Sequence, residues 1–190
     1  MRDNATQAIN LPNIISILRF FITFYFIYAV SQDRMRLALY LFLIQGISDL
    51  LDGFIARVMG WKTELGAYLD PIADKTMLVA AFVMLYIVGI IPIWLTALVL
   101  SRDIVIAGGF LVLRRYASGL TPRPTIFGKI TTALQIATIV YILWAWSSPG
   151  SALRQYTPVL FITTALATII SGTHYVIGGL KTLKKVRHRQ

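Results

Sequence analysis

Four aspartates, Asp49, Asp52, Asp70 and Asp74, stand inside two consecutive apolar stretches and make up half of the chain's 8 acidic residues. An ionised carboxylate inside a membrane-spanning helix costs at least ~2.5–3.5 kcal/mol on insertion scales, so such groups normally face a polar interior and serve a function there. Asp49 and Asp52 are three residues apart, and Asp70 and Asp74 four. Those spacings put each pair on one helix face. The two helices are expected to run antiparallel, joined by a turn from about Arg57 to Gly66. Asp49 precedes Arg57 by eight residues and Asp74 follows Gly66 by eight, so at 1.5 Å per residue both lie roughly 12 Å from the turn. Four carboxylates gathered at one depth cannot all stay ionised unless cations neutralise them or several bind protons. Two divalent cations would balance the four charges. An all-oxygen donor set, without histidine or cysteine nearby, suits Mg²⁺, Mn²⁺ or Ca²⁺ better than zinc or copper.

Small residues flank the acids. Gly53 and Gly66, with Ala56, leave room for a ligand or a second backbone to come close. Arg57 lies one turn beyond Gly53 and carries a guanidinium that can grip a phosphate with two parallel hydrogen bonds. A plainer reading stands beside this one: the glycines let helices pack and Arg57 anchors the headgroup boundary.

The elements that must hold these residues follow from composition. Of 190 residues 57% are hydrophobic and 14% charged, and the mean hydropathy is +0.71, which places the chain in a bilayer rather than among soluble domains. With no cysteine, disulfides, thiolate metal sites and cysteine nucleophiles are excluded. The N-terminus lacks the pattern of a removable signal, so the first apolar segment is expected to stay. A span needs ~20 apolar residues, and six windows qualify: about Leu11–Val30, Leu37–Ala56, Ala67–Ile91, Ile93–Leu113, Ile130–Trp146 and Thr157–Leu180. The expectation is an all-α polytopic membrane protein of six transmembrane helices, one domain over residues 1–190, with no internal repeat to suggest an inverted-repeat transporter.

Six spans put both termini on one side. The tail carries Lys181, Lys184, Lys185, Arg187 and Arg189, and Arg2, Arg57, Lys62, Arg114, Arg115 and Arg123 fall on the same face, against Arg34, Arg36 and Arg154 opposite. The excess marks the cytoplasmic side, so both termini and the aspartate cluster are expected near it. The net charge of +10 is thus a topology signal that also attracts anionic bilayer lipids, and no basic stretch stands free to bind nucleic acid.

Written out, the acidic segment is Asp49-x2-Asp52-Gly53-x2-Ala56-Arg57-x8-Gly66-x3-Asp70-x3-Asp74. It resembles the signature of the CDP-alcohol phosphatidyltransferases with every position filled. The resemblance implies that two divalent cations, Mg²⁺ or Mn²⁺, are held by Asp49, Asp52 and Asp70, that Asp74 acts as general base and possible ligand, and that CMP is released. It also implies that Gly53, Ala56, Arg57 and Gly66 line the CDP site, that CDP-diacylglycerol is the donor, and that the protein is a homodimer. Paired metals can clamp a diphosphate and stabilise the attacking and leaving oxygens together.

Further stretches are similar to the glycerol-lipid branch of that family: Leu11-Pro12-Asn13 with Ser16 and Arg19, and Leu69-Asp70-Pro71 followed by Ala73-Asp74-Lys75. Within the branch, Ser48 to Arg57, Ser101-Arg102-Asp103, and Arg123-Pro124-Thr125 leading to Lys129 and Gln135 look more like the cardiolipin synthases, which implies phosphatidylglycerol as acceptor. Glycerol 3-phosphate, the acceptor of phosphatidylglycerophosphate synthases, is the alternative. Arg19, Lys75, Arg102, Arg114, Arg115, Arg123 and Lys129 are candidates to bind either one. Arg102 beside Asp103 reads equally as an intramembrane ion pair that fixes helix packing, and His174 as a satisfied interior histidine. A cation or proton transporter is the rival of another class, but it predicts acids spread through the membrane depth rather than gathered on one helix pair.

Overall fold

Inside hydrocarbon every backbone N–H and C=O must find its partner within the protein, and an apolar run of twenty or so residues does so by forming a helix. The computed structural model describes the backbone of residues 11–59, 64–116 and 126–187, and the side chains of residues 18–48, 75–109 and 126–180. Among the described residues there are six α-helices and no strand: α1 (Leu11–Ser31), α2 (Met35–Met59), α3 (Glu64–Ile87), α4 (Ile93–Tyr116), α5 (Ile126–Trp146) and α6 (Thr157–Arg187). A 3₁₀ turn, Ala152–Tyr156, leads into α6. The described residues are all-helical apart from short turns, as expected. Two stretches, Ile126–Trp146 and Ala152–Leu180, are long and apolar enough to cross a membrane by length and composition, and Leu18–Ser31, Met35–Ser48 and Lys75–Ile87 are shorter apolar helical segments.

Two helix ends show why the elements stop where they do. After α1, Asp33 takes φ 55°, with Asp33 N–H donating to Val30 C=O at 3.1 Å and Arg34 N–H to Ala29 C=O at 2.9 Å. After α3, Gly89 takes φ 77°, with Gly89 N–H donating to Tyr86 C=O and Ile90 N–H to Leu85 C=O, both at 2.9 Å. This paired arrangement caps the last carbonyls and reverses the chain. It also ends α3 at Ile87, four residues short of the window expected to reach Ile91. Glycine adopts that backbone at no steric cost, and aspartate is among the few other residues that tolerate it.

The chain divides into two compact units. One comprises Met1–Ile90 and Val140–Ala152, the other Ile91–Ile139 and Leu153–Gln190. In the first, α1 packs against both α2 and α3. Ala29, Ala38 and Ala81 are fully buried there beside Phe26 and Phe82, and the Phe26 and Phe42 rings meet at 6.1 Å with a 48° tilt. Lipid tails are as apolar as leucine, so such helices associate through close packing of small residues and through polar contacts rather than by expelling water. In the second unit α4 packs against α6, over Leu95, Val99, Ile139 and Ala165. Outward-facing apolar side chains such as Phe21, Ile104 and Ile126 suit an acyl-chain solvent.

Candidate active site

The motif residues divide between two helices of the first unit. Asp49, Asp52, Gly53, Ala56 and Arg57 are on α2, and Gly66, Asp70 and Asp74 on α3. At 3.6 residues per turn, Asp49 and Asp52 are separated by about 60° around α2, and Asp70 and Asp74 by about 40° around α3. Each pair therefore shares a face. The turn expected from Arg57 to Gly66 is shorter than the sequence suggested, because α2 continues to Met59 and α3 begins at Glu64. Nothing at Val58 or Met59 breaks a helix, and Glu64 in the first turn of α3 complements the helix dipole. Arg57 and Gly66 thus belong to helices rather than to the turn. The side chains of these eight motif residues lie outside the described residues. An oxygen-only donor set arranged as two helix-face pairs fits hard divalent cations by its chemistry.

Of the four acceptor-binding candidates whose side chains are described, Arg19, Lys75, Arg102 and Lys129, two are buried. Arg19 is 2% exposed and shares its α1 face with Thr23 and Phe26, four and seven residues on. The Thr23 hydroxyl donates to the Arg19 carbonyl at 3.0 Å, and Gln45 Nε2 of α2 donates to Thr23 Oγ1 at 3.3 Å. Arg102 is 9% exposed. Its Nη1 donates to Asp103 Oδ1 at 2.7 Å and its Nη2 to Ser171 Oγ on α6 at 3.0 Å, while the guanidinium carbon lies 5.9 Å from the Tyr175 ring centroid. Its stem crosses Gly172, where an added Cβ would sit 3.7 Å from Arg102 Cγ. Lys75 and Lys129 are exposed. Arg114 and Arg115 end α4 with side chains outside the described residues, and Arg123 is outside them altogether.

The CDP-alcohol phosphatidyltransferase family model matches residues 9–171, a stretch that contains the whole motif. The chain belongs to that family. It is thereby a member of a family of transferases, and its relatives' names point to phospholipid biosynthesis. A cardiolipin synthase (CMP-forming) of Rattus norvegicus is 32% identical over 213 residues, covering 98% of this chain and 68% of the relative. A probable phosphatidylglycerophosphate synthase of Mycobacterium tuberculosis is 33% identical, covering 94% and 85%. A CDP-diacylglycerol–glycerol-3-phosphate 3-phosphatidyltransferase of Aquifex aeolicus is 30% identical, covering 93% and 99%. The chain spans about two thirds of the length of the animal cardiolipin synthases it matches, or slightly less.

This CDP-alcohol phosphatidyltransferase has a second polar region, built mostly from hydroxyl residues of apolar helices that sequence reasoning missed. Thr131, Gln135 and Thr138 on α5 face Thr164, Ala167 and Thr168 on α6, and Ser171 continues the α6 stripe toward Arg102; all but Ala167 are buried. Thr131 Oγ1 donates to the Ala167 carbonyl at 2.9 Å, Gln135 Nε2 to Thr168 Oγ1 at 3.3 Å, and the Thr138 and Thr164 hydroxyls meet at 2.7 Å. The spacing i, i+4, i+7 on both helices is the readable signal, because it draws one polar stripe along each. Interhelical hydroxyl and amide contacts of this sort hold membrane helices together. His174, expected in the interior, is exposed on α6, with its ring 5.1 Å from that of Phe127. The residue lies three positions past Ser171, about 60° around the helix, and so leaves the buried stripe.

Proposed function

We propose that the chain transfers the phosphatidyl group of CDP-diacylglycerol to a hydroxyl of a glycerol-containing acceptor, releasing CMP. Phosphatidylglycerol is the favoured acceptor, which would make the product cardiolipin. The observation that carries the reading is the filled eight-position motif, five positions on α2 and three on α3, inside a family match that runs from residue 9 to 171. Glycerol 3-phosphate is the second reading, favoured by the two bacterial relatives named for that chemistry. Family membership argues against a cation or proton transporter.

Asp49, Asp52 and Asp70, with Asp74, would hold two divalent cations, Mg²⁺ or Mn²⁺. When bound, these ions neutralise the donor's diphosphate and stabilise charge on the attacking and leaving oxygens. Gly53, Ala56 and Gly66 leave space for the nucleotide, and Arg57 grips a phosphate oxygen pair. Asp74 takes the proton from the acceptor hydroxyl as its oxygen bonds to the phosphatidyl phosphorus, and the bond from that phosphorus to the CMP oxygen breaks. Among the basic candidates, Arg102 and Arg19 suit an anionic acceptor best, since a buried cation interacts more strongly with an anion than an exposed one does. We place this single domain, residues 1–190, in the inner membrane as six spans, with both termini and the active site toward the cytoplasm, and as a homodimer. The supporting observation for orientation is the basic excess at the chain end and on the same-side loops.

The test uses purified full-length protein in mixed micelles with CDP-diacylglycerol, Mg²⁺ and either acceptor, reading CMP release and lipid mass. Asp74→Asn should abolish turnover while donor binding persists, and near-normal turnover would remove its role as base. A wild type that releases CMP with neither acceptor overturns the transferase reading.

A further inference from the structure

Two buried polar atoms of the second unit have no hydrogen-bond partner among the described residues: Arg102 Nε, a donor, and Gln135 Oε1, an acceptor. Each belongs to a side chain that is otherwise anchored to α6. Gln135 is held through Nε2 by Thr168 at 3.3 Å, and Arg102 through Nη2 by Ser171 at 3.0 Å. Thr168 and Ser171 are three residues apart on α6, so their Cβ atoms are neighbours at about 5–6 Å. The two anchors therefore bring the orphaned donor and the orphaned acceptor to one stretch of α6. Gln135 is 1% exposed and Arg102 9%, and a buried polar group left unmatched costs about 1–3 kcal/mol. A buried donor and a buried acceptor anchored within one turn of α6 suit a ligand that supplies an anionic oxygen and a hydroxyl proton together.

We infer that Arg102 and Gln135 form a buried subsite for a glycerol phosphate group, with Arg102 Nε–H donating to a phosphate oxygen and Gln135 Oε1 accepting from the middle hydroxyl. The inference rests on the transferase reading, in which that group is the acceptor's. The chemistry is common to both acceptor sources. In phosphatidylglycerol and in glycerol 3-phosphate alike, the phosphate is on one end carbon and the reacting hydroxyl on the other, which leaves the middle hydroxyl for recognition. Gln135 is thereby a specificity-determining residue, and Ser171 and Thr168 are positioning residues that aim the two side chains.

The experiment measures KM and kcat for CMP release by the full-length chain with four acceptors. Phosphatidylglycerol is paired with phosphatidylpropanediol, and glycerol 3-phosphate with 3-hydroxypropyl phosphate; the second of each pair lacks only the middle hydroxyl. Whichever pair is turned over identifies the source of the group. Wild type should prefer the glycerol compound about tenfold in kcat/KM, the worth of one hydrogen bond at about 1.4 kcal/mol. Gln135→Met, of similar length but without the oxygen, should raise KM for the glycerol compound to that of its propanediol partner, whose own KM stays put. Arg102→Gln should raise both equally, since both carry the phosphate. Survival of the preference in Gln135→Met overturns the inference, as an ordered water between the two groups would predict. Should Gln135→Met fail to fold, absence of the preference in wild type overturns it equally, and its presence together with its retention in Gln135→Glu, which keeps an acceptor oxygen, supports it. A wild type inactive on both pairs overturns the transferase reading and this subsite with it.

Discussion

The helix pair α2–α3 and the trio α4–α6 both carry polar groups through apolar surroundings, but they balance them in opposite ways. On α2 and α3 the acids are alike in sign and form two pairs, each on one helix face, and in the function proposed above divalent cations neutralise them. On α4, α5 and α6 the groups are complementary. Arg102 meets Asp103 at 2.7 Å and Ser171 at 3.0 Å, and the threonines satisfy one another or backbone carbonyls. In the proposed function the first arrangement holds metal ions, whereas the second holds itself, apart from the two atoms it leaves open. An internally balanced network stabilises the fold whether or not a ligand is present, whereas a one-signed cluster is least stable when empty.

The largest expected effect tests the first half of that contrast. Asp49→Asn or Asp70→Asn should reduce CMP release by at least on the order of 10³-fold, because each would withdraw several kcal/mol of charge stabilisation. The same variants should unfold at equal or higher temperature than wild type in a chelator, since one like charge is gone. Mg²⁺ should raise the wild-type unfolding temperature and raise theirs less. Wild-type activity that survives chelation, together with stability indifferent to Mg²⁺, would erase the distinction between the two regions.

The next effect tests the second half. Arg102 and Asp103 side chains are 8% and 12% exposed, and removing one partner of such a pair leaves an uncompensated charge. Arg102→Leu should cost about 3 kcal/mol, toward the low end for buried pairs, whereas Arg102→Leu with Asp103→Leu should recover most of that loss. Acceptor KM should stay raised in the double variant. Recovery of stability without recovery of KM separates the packing role of the pair from its role toward the acceptor, and unfolding in detergent beside steady-state kinetics reads both. If KM returns with stability, Arg102 serves packing alone.

What the sequence made legible follows the same division. Asp49, Asp52, Asp70 and Asp74 stand out because a carboxylate in an apolar run is costly, and their spacing puts each pair on one face once α2 and α3 are seen to be helical there. Helix number and order were readable from apolar length and from turn residues such as Gly89 and Pro92. Boundaries were less so: whether Arg57 and Gly66 end a helix or continue it depends on backbone that no local breaker dictates. Thr131, Thr138 and Thr168 went unread because a hydroxyl that bonds to a carbonyl of its own helix is compatible with an apolar span. Their joint spacing, rather than any single residue, carried the signal. The depth of Arg19 and the exposure of His174 depend on which neighbours pack against each face, and the sequence of a single helix does not contain that.

The smallest effect asks how tightly the self-balanced region is tied. The Thr138 hydroxyl donates to the Leu134 carbonyl at 2.8 Å, and having one proton it can only accept from Thr164 across the 2.7 Å contact. Thr138→Val therefore strands the Thr164 proton, while Thr164→Val strands only a lone pair. A double-mutant cycle should give a coupling of about 0.6 kcal/mol, the average for interhelical hydrogen bonds in a membrane protein. The value stays small because a stranded Thr164 hydroxyl can turn to the Leu160 carbonyl one turn back, as Thr168 already does toward Thr164 at 2.7 Å. The same cycle on Thr23 and Gln45, whose contact is longer at 3.3 Å, should give less. A coupling above about 1.7 kcal/mol at Thr138 and Thr164 would mean that this rotation is blocked, and that the stripe acts as one rigid network rather than as separate pairs.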